Sequence, residues 1–205
     1  MIRSHIRLLF IVKIIIIYFI IFFKSYATDV KNFEDMVVIG PNNAVVKIKI
    51  FSSLTCPHCA NFHTKIIPEI KKEYVESGKV QLIFIDFPLD EAAFNASKIL
   101  HCLDQNMQIG YLDTIYEKQS EWTNGSDINE INNNLKKIVK SLGISSSNVD
   151  KCLVNETISD KILNGRIDAS KRYSINSTPT IIINEKKLEG SVSFKNIKKK
   201  IEKLI

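Results

Sequence analysis

Val45-Val46-Lys47-Ile48-Lys49-Ile50-Phe51 runs through Ser52-Ser53-Leu54-Thr55 into Cys56-Pro57-His58-Cys59. The first segment is rich in β-branched residues and alternates apolar with polar positions, the pattern of a strand. Beyond the cysteines, Ala60-Asn61-Phe62-His63-Thr64-Lys65-Ile66-Ile67 reads as a helix. A strand that turns through C-x-x-C into a helix is the setting in which such a pair carries redox chemistry. Pro57 suits the first helical turn, where its missing N–H costs nothing. Cys56 then faces unpaired backbone N–H groups and the positive end of the helix dipole, which favour its thiolate. His58, inside the motif, places at least partial positive charge beside the same sulfur.

Upstream, Arg3, His5 and Arg7 precede an apolar run from Leu8 to Phe23 interrupted only by Lys13. Ser25-Tyr26-Ala27 then has the small-x-small form of a cleavage site, so residues 1–27 read as a signal peptide and the chain as periplasmic or otherwise exported. A retained membrane anchor is the competing reading. Its uninterrupted apolar core, Ile14 to Phe23, falls short of the roughly 20 residues that span a bilayer. The formal charge of the whole chain is +6. Arg3, Arg7, Lys13 and Lys24 supply most of it, so the rest of the chain gives little reason to expect a nucleic-acid partner. Lys195, Lys198, Lys199 and Lys200 read as the solvated face of a last helix. All four cysteines lie beyond the leader, in a compartment where disulfides persist.

Residues 28–90 are expected to hold strands at Met36–Ile39, Val45–Phe51 and Val80–Ile85, with a helix from Pro57 to about Ser77. Pro68 should kink or break that helix. From residue 91 to 174 the spacing becomes helical, at Glu91–Leu103, Ile109–Gln119, Ile128–Leu142 and Thr157–Tyr173, which predicts an inserted helical domain. Residues 175–205 return to a strand at Thr180–Ile183, a turn at Asn184-Glu185, a short segment from Lys186 to Glu189 and a helix from Phe194 to Leu204. The order is that of an α/β fold, a mixed central sheet whose halves are separated by helices.

Four segments carry a family likeness: Phe51 through His63 around the C-P-H-C motif; Phe87-Pro88-Leu89-Asp90; Ser177-Thr178-Pro179-Thr180 followed by Ile181-Ile182-Ile183-Asn184; and Lys187-Leu188-Glu189-Gly190. In them the chain resembles the DsbA-like thiol–disulfide oxidoreductases of the thioredoxin superfamily. The resemblance implies a thioredoxin fold in which Pro179 is cis and lies against the Cys56–Cys59 disulfide, and in which Thr178 and Pro179 form the edge that pairs with an extended substrate. It implies that a substrate thiolate attacks Cys56, that a second thiol resolves the mixed disulfide, and that Cys56 and Cys59 are released reduced. No cofactor is needed, because the sulfurs carry the electrons. The implied partners are unfolded or reduced exported proteins and a membrane-bound protein that reoxidises the pair. Relatives that act as isomerases or reductases use the same site but usually carry an N-terminal dimerisation segment. About eight residues separate the cleavage site from the first strand, which leads us to expect a monomeric oxidase. One position departs from the family. Where many members hold a buried acid six residues before the first cysteine, this chain has Ile50, and Cys59 loses a candidate proton acceptor.

Other readings of the same residues are weaker. A structural zinc site wants four ligands, usually as two closely spaced pairs, whereas Cys102 and Cys152 stand alone, so no metal is expected. Cys102 and Cys152 either form a second disulfide or remain two buried thiols. The compartment and the even count favour the bond, and closing a loop of about 50 residues would contribute roughly 4 kcal/mol. His63, four residues past Cys59 on the same helix face, is expected to be a surface histidine rather than a proton shuttle. His101 is assigned no role, and Phe94, Tyr111 and Trp122 are expected to fill the core or line a groove. A membrane-tethered binding module or chaperone with incidental thiols is a third functional class, requiring an uncleaved leader and an inert Cys56.

Overall fold

The computed structural model describes residues 36–205; the leader expected at residues 1–27 lies outside them. Five strands make one sheet: β1 (Val37–Ile39), β2 (Val46–Ser52), β3 (Val80–Asp86), β4 (Thr180–Ile183) and β5 (Lys186–Lys187). Their order across the sheet is β1-β3-β2-β4-β5. Strand β2 runs parallel to β3 and antiparallel to β4, while β1 and β5 close the edges in antiparallel pairs. Parallel pairing needs a crossover. Here the helical segment after Pro57 provides it. Val80 through Ile85 are all buried, as an apolar strand covered on both faces requires. The turn leading into β2 uses Gly40 at φ +101°, where an added Cβ would lie 2.5 Å from the Val80 carbonyl oxygen.

Strict alternation would send Lys49 to solvent, yet it is 7% exposed. Its ammonium donates to the Tyr173 hydroxyl at 2.8 Å and also pairs with Glu185. The long aliphatic stem can therefore be covered without leaving the charge unpaired.

The crossover begins as α1 (Pro57–Asn61), widens into a π-helical turn at Phe62–Ile66, tightens into α2 (Ile67–Ile70) and widens again at Lys71–Val75. Pro68 does not break it. A proline cannot donate to the preceding turn, and the π turn just before it, in which the Ile67 N–H reaches back to the Phe62 carbonyl, absorbs that defect.

Between β3 and β4 lie α3 (Glu91–Cys102), α4 (Gln105–Glu117), α5 (Gln119–Trp122), α6 (Ile128–Lys140), α7 (Ser146–Leu153) and α8 (Glu156–Tyr173). They form the helical insertion of this thioredoxin-like fold. Tyr111 and Trp122 are fully buried in it, and the Trp122 indole N–H donates to the Ile115 carbonyl at 2.9 Å. Phe94 is only partly covered. Cys102, at the end of α3, is bonded to Cys152 of α7 across 50 residues. The last helix, α9 (Phe194–Ile201), buries Ile197 and Ile201 while its lysines face out. Among the described residues no helix is long and apolar enough to cross a membrane.

Candidate active site

Cys56 ends the loop after β2 and is the N-cap of α1, with extended backbone (φ −76°, ψ 118°). Its carbonyl accepts from the N–H groups of Cys59 (3.0 Å) and Ala60 (3.1 Å), which starts the helix. Pro57 occupies the first turn, and Pro57 and His58 are exposed. Both cysteines are free thiols here. Cys56 is 8% exposed and Cys59 1%, so both are buried and Cys56 is the less deeply covered of the two.

The loop before Cys56 is fastened from two sides. The Phe87 N–H donates to the Ser52 carbonyl at 2.7 Å, the Leu89 N–H to the Ser53 hydroxyl at 3.3 Å, and the Thr55 hydroxyl to Asp90 at 2.6 Å. Asp90 also caps α3, accepting from the Ala93 N–H at 2.7 Å. The Phe87–Asp90 stretch therefore works as a clamp on the motif loop as well as a helix start. From the insertion, Gln119 donates one amide group to the carbonyls of Leu54 (2.8 Å) and Cys56 (3.1 Å). Neither its residue type nor its position along the chain announces this role, because the contacts span 65 and 63 residues.

Opposite Cys56, the Thr178–Pro179 peptide bond is cis. The Cys56 thiol donates to the Thr178 carbonyl at 3.4 Å, and the Thr180 hydroxyl closes the loop onto the Ser177 carbonyl at 2.7 Å. The fold thus brings together Cys56, Cys59, Thr178 and Pro179 from opposite ends of the sequence. Burial pushes the Cys59 thiol up to about 12; the adjacent Thr178 hydroxyl opposes that rise and neighbouring Cys56 adds to it. Apart from that contact the Thr178 hydroxyl has no partner among the described residues.

Three further groups lie near the pair. Ile50, 1% exposed, is packed in the core, and no acid takes its position on β2. His63 is not a surface residue, as its spacing suggested. It is 6% exposed, with Nε2 2.7 Å from Asp113 Oδ1 and its ring 4.7 Å from that of Tyr116. It shares the helix face of buried Cys59, and Asp113 on α4 satisfies it there; in return the hydrogen bond from His63 holds the Asp113 carboxyl below its ordinary range. His101 is likewise partnered, with Nε2 2.5 Å from Asp86 Oδ2.

Burial disfavours the His101 cation, but the Asp86 charge and hydrogen bond outweigh it and raise the group above its ordinary 6.5. A pKa raised on folding adds stability below the unfolded value and loses it as pH rises through the folded one. The urea midpoint of the native protein should therefore fall as pH climbs from about 6.5, and His101→Gln should flatten that limb. An equally steep fall in the variant would contradict the pairing.

The family model described as Thioredoxin matches residues 31–203. A Rickettsia bellii chain provisionally named a protein-disulfide oxidoreductase is 26% identical over 183 residues, 89% of this chain and 69% of its own length. Four other rickettsial relatives are matched over only 60–62% of their own length. Disulfide bond formation protein D of Bacillus subtilis is 26% identical over 81% of this chain and 75% of its own. Among solved structures, alpha-DsbA1 of Wolbachia pipientis superposes with a TM-score of 0.74 at 26% identity, covering 88% of this chain and 94% of that one. The chain belongs to the thioredoxin family, as a DsbA-like thiol–disulfide oxidoreductase. Among the described residues no three His, Cys, Asp or Glu side chains gather as a metal site.

Proposed function

We propose that this is an exported oxidase that donates the Cys56–Cys59 disulfide to reduced proteins as they fold. The observation that carries the reading is the contact between the Cys56 sulfur and the Thr178 carbonyl at 3.4 Å. It sets the less deeply buried sulfur of the pair beside a backbone edge able to pair with an extended chain. A client thiolate attacks Cys56, Cys59 leaves with the bonding electrons and takes a proton, and a second client thiolate then displaces Cys56. Pro57 starts the helix under Cys56, and His58, exposed in its first turn, supplies positive charge to the departing sulfur when protonated. Thr178 and Pro179 hold the client backbone. A membrane-bound partner would restore the disulfide. The name carried by the Bacillus subtilis relative, disulfide bond formation protein D, supports the direction, and the leader read at residues 1–27 supports export.

Refolding separates this from isomerase action. Oxidised protein should restore activity to a fully reduced two-disulfide client in proportion to the disulfides supplied, whereas reduced protein should do little for a scrambled client. Efficient rescue of the scrambled client without added oxidant would make it an isomerase.

A further inference from the structure

Strand β5 is the outer edge of the sheet, and its two residues, Lys186 and Lys187, are both exposed. The end of α9 and the residues just beyond it bring Lys200 and Lys203 to the same place, where the four lysines close on one cavity of about 350 Å³. Ile183, Leu188 and Leu204 form its apolar floor; the first two are buried, whereas Leu204 is 43% exposed. Asn184 completes the lining, but its amide is spent on the backbone, accepting from the Lys47 N–H at 2.8 Å and donating to the Val45 carbonyl at 3.1 Å.

The rim is cationic without compensation. Lys187 donates to the Ser174 carbonyl at 3.2 Å, while Lys186, Lys200 and Lys203 have no hydrogen-bond or carboxylate partner among the described residues. The acids next to these lysines in the chain are committed elsewhere: Glu185 to Lys49, Arg172 and Tyr173, and Glu202 to Tyr74 and Lys198. No acid lines the cavity. Lysines at a helix end complement its dipole, and lysines on an edge strand discourage pairing with another chain. Neither role asks lysines from a strand and from a helix to converge over an apolar floor. Their mutual repulsion is relieved by an anion, and the floor is covered by an apolar group. The place is distinct from the redox site. Thr180 of β4 lies against Phe51, close to the motif loop, whereas Ile183 lies against Ile48, roughly 10 Å further along the strand.

We propose that this cavity binds a single-chain anionic amphiphile, its phosphate or carboxylate head held by Lys186, Lys187, Lys200 and Lys203 and its apolar chain lying on Ile183, Leu188 and Leu204. The volume is at the lower end of the roughly 300–1,000 Å³ of small-molecule sites, so the cavity covers a short chain or the first part of a longer one. Ammonium donors converging from two elements suit a head with two or three acceptor oxygens. Binding is non-covalent and does not depend on the redox reading, since no lining residue belongs to the Cys56–Cys59 site.

The test uses octyl phosphate below its micelle concentration, with inorganic phosphate as the head alone and octyl glucoside as the chain on a neutral head. The full chain is acetylated briefly in the presence of each, digested, and read by mass at every lysine. Because each lysine is read separately, amphiphile bound elsewhere does not affect the result. At about ten times its dissociation constant, octyl phosphate should slow acetylation of Lys186, Lys200 and Lys203 about tenfold and leave exposed Lys151 and Lys171 unchanged. Alkyl phosphates from butyl to octyl should bind up to about fourfold more tightly per methylene. The surface double variant Lys186→Gln with Lys203→Gln should weaken octyl phosphate by about tenfold or more, and Leu204→Ser should flatten the dependence on chain length. Protection by inorganic phosphate equal to that by octyl phosphate would reduce the site to a plain anion site and overturn the amphiphile. Equal protection by octyl glucoside, or native affinity in the double variant, would overturn the role of the lysines. No protection of these lysines by octyl phosphate would overturn the site.

Discussion

Cys59→Ser should turn the protein into a trap. With the buried thiol gone, a client disulfide attacked by Cys56 leaves a mixed disulfide that no group within the protein can resolve. The structure makes the two positions unequal: Cys56, 8% exposed, lies beside the Thr178 carbonyl, while Cys59 is 1% exposed and its thiol is pushed up to about 12. Catalysed exchange should therefore fall by about a thousandfold or more in either single variant, but only Cys59→Ser should accumulate covalent adducts on non-reducing gels. Cys56→Ser should accumulate none, because a buried, protonated thiol is a poor nucleophile. Adducts formed equally by both variants would mean that Cys59 is the attacking sulfur.

The second large effect concerns the Cys102–Cys152 bond. It ties the end of α3 to α7 across 50 residues, and Cys152 is buried at 3% exposure. Replacing both with serine releases that loop in the unfolded chain and places a hydroxyl in an apolar site. A loss of about 4 kcal/mol is expected from loop entropy. In a chain of this size it lowers the melting temperature by roughly 8–16 °C. Differential scanning calorimetry on the double variant measures it, and a shift below about 2 °C would show that the bond contributes little. Alanine at both positions separates loop release from the buried hydroxyl.

Much of the fold was legible because its signals are local. The β-branched run into C-x-x-C set β2 and α1, and the apolar Val80–Ile85 stretch set a fully buried β3. Helical spacing from Glu91 onward set the insertion. Helix α7 is silent in the pattern because Ser146-Ser147-Asn148 reads as loop and only Val149, Cys152 and Leu153 carry apolar spacing over its eight residues. Its start depends on the Ser145 cap to the Asn148 N–H, a feature too short to stand out. Pro68 misled in the other direction, since a π turn compensates for it and no periodicity announces a π turn.

The site divides in the same way. Cys56, Cys59, Thr178 and Pro179 could be picked out as motif residues. The groups that surround them are ordinary in sequence and acquire meaning only through contacts across the fold: Gln119 on the carbonyls of Leu54 and Cys56, His63 on Asp113, Asp86 between Ser97 and His101. The two histidines show the limit most clearly. Each sits on a helix at a position that spacing alone makes unremarkable in chemistry, and each is buried against a carboxylate supplied by another element.

An oxidase needs Cys56 and Cys59 to be an oxidising pair, and their reduction potential measures that property directly. It is obtained by equilibrating the protein, with Cys102–Cys152 intact, against glutathione buffers and counting the reduced fraction of the pair by alkylation and mass. A value above about −180 mV, on the DsbA side of protein disulfide isomerase, is expected; a value near about −270 mV, where thioredoxin lies, would contradict the oxidase assignment.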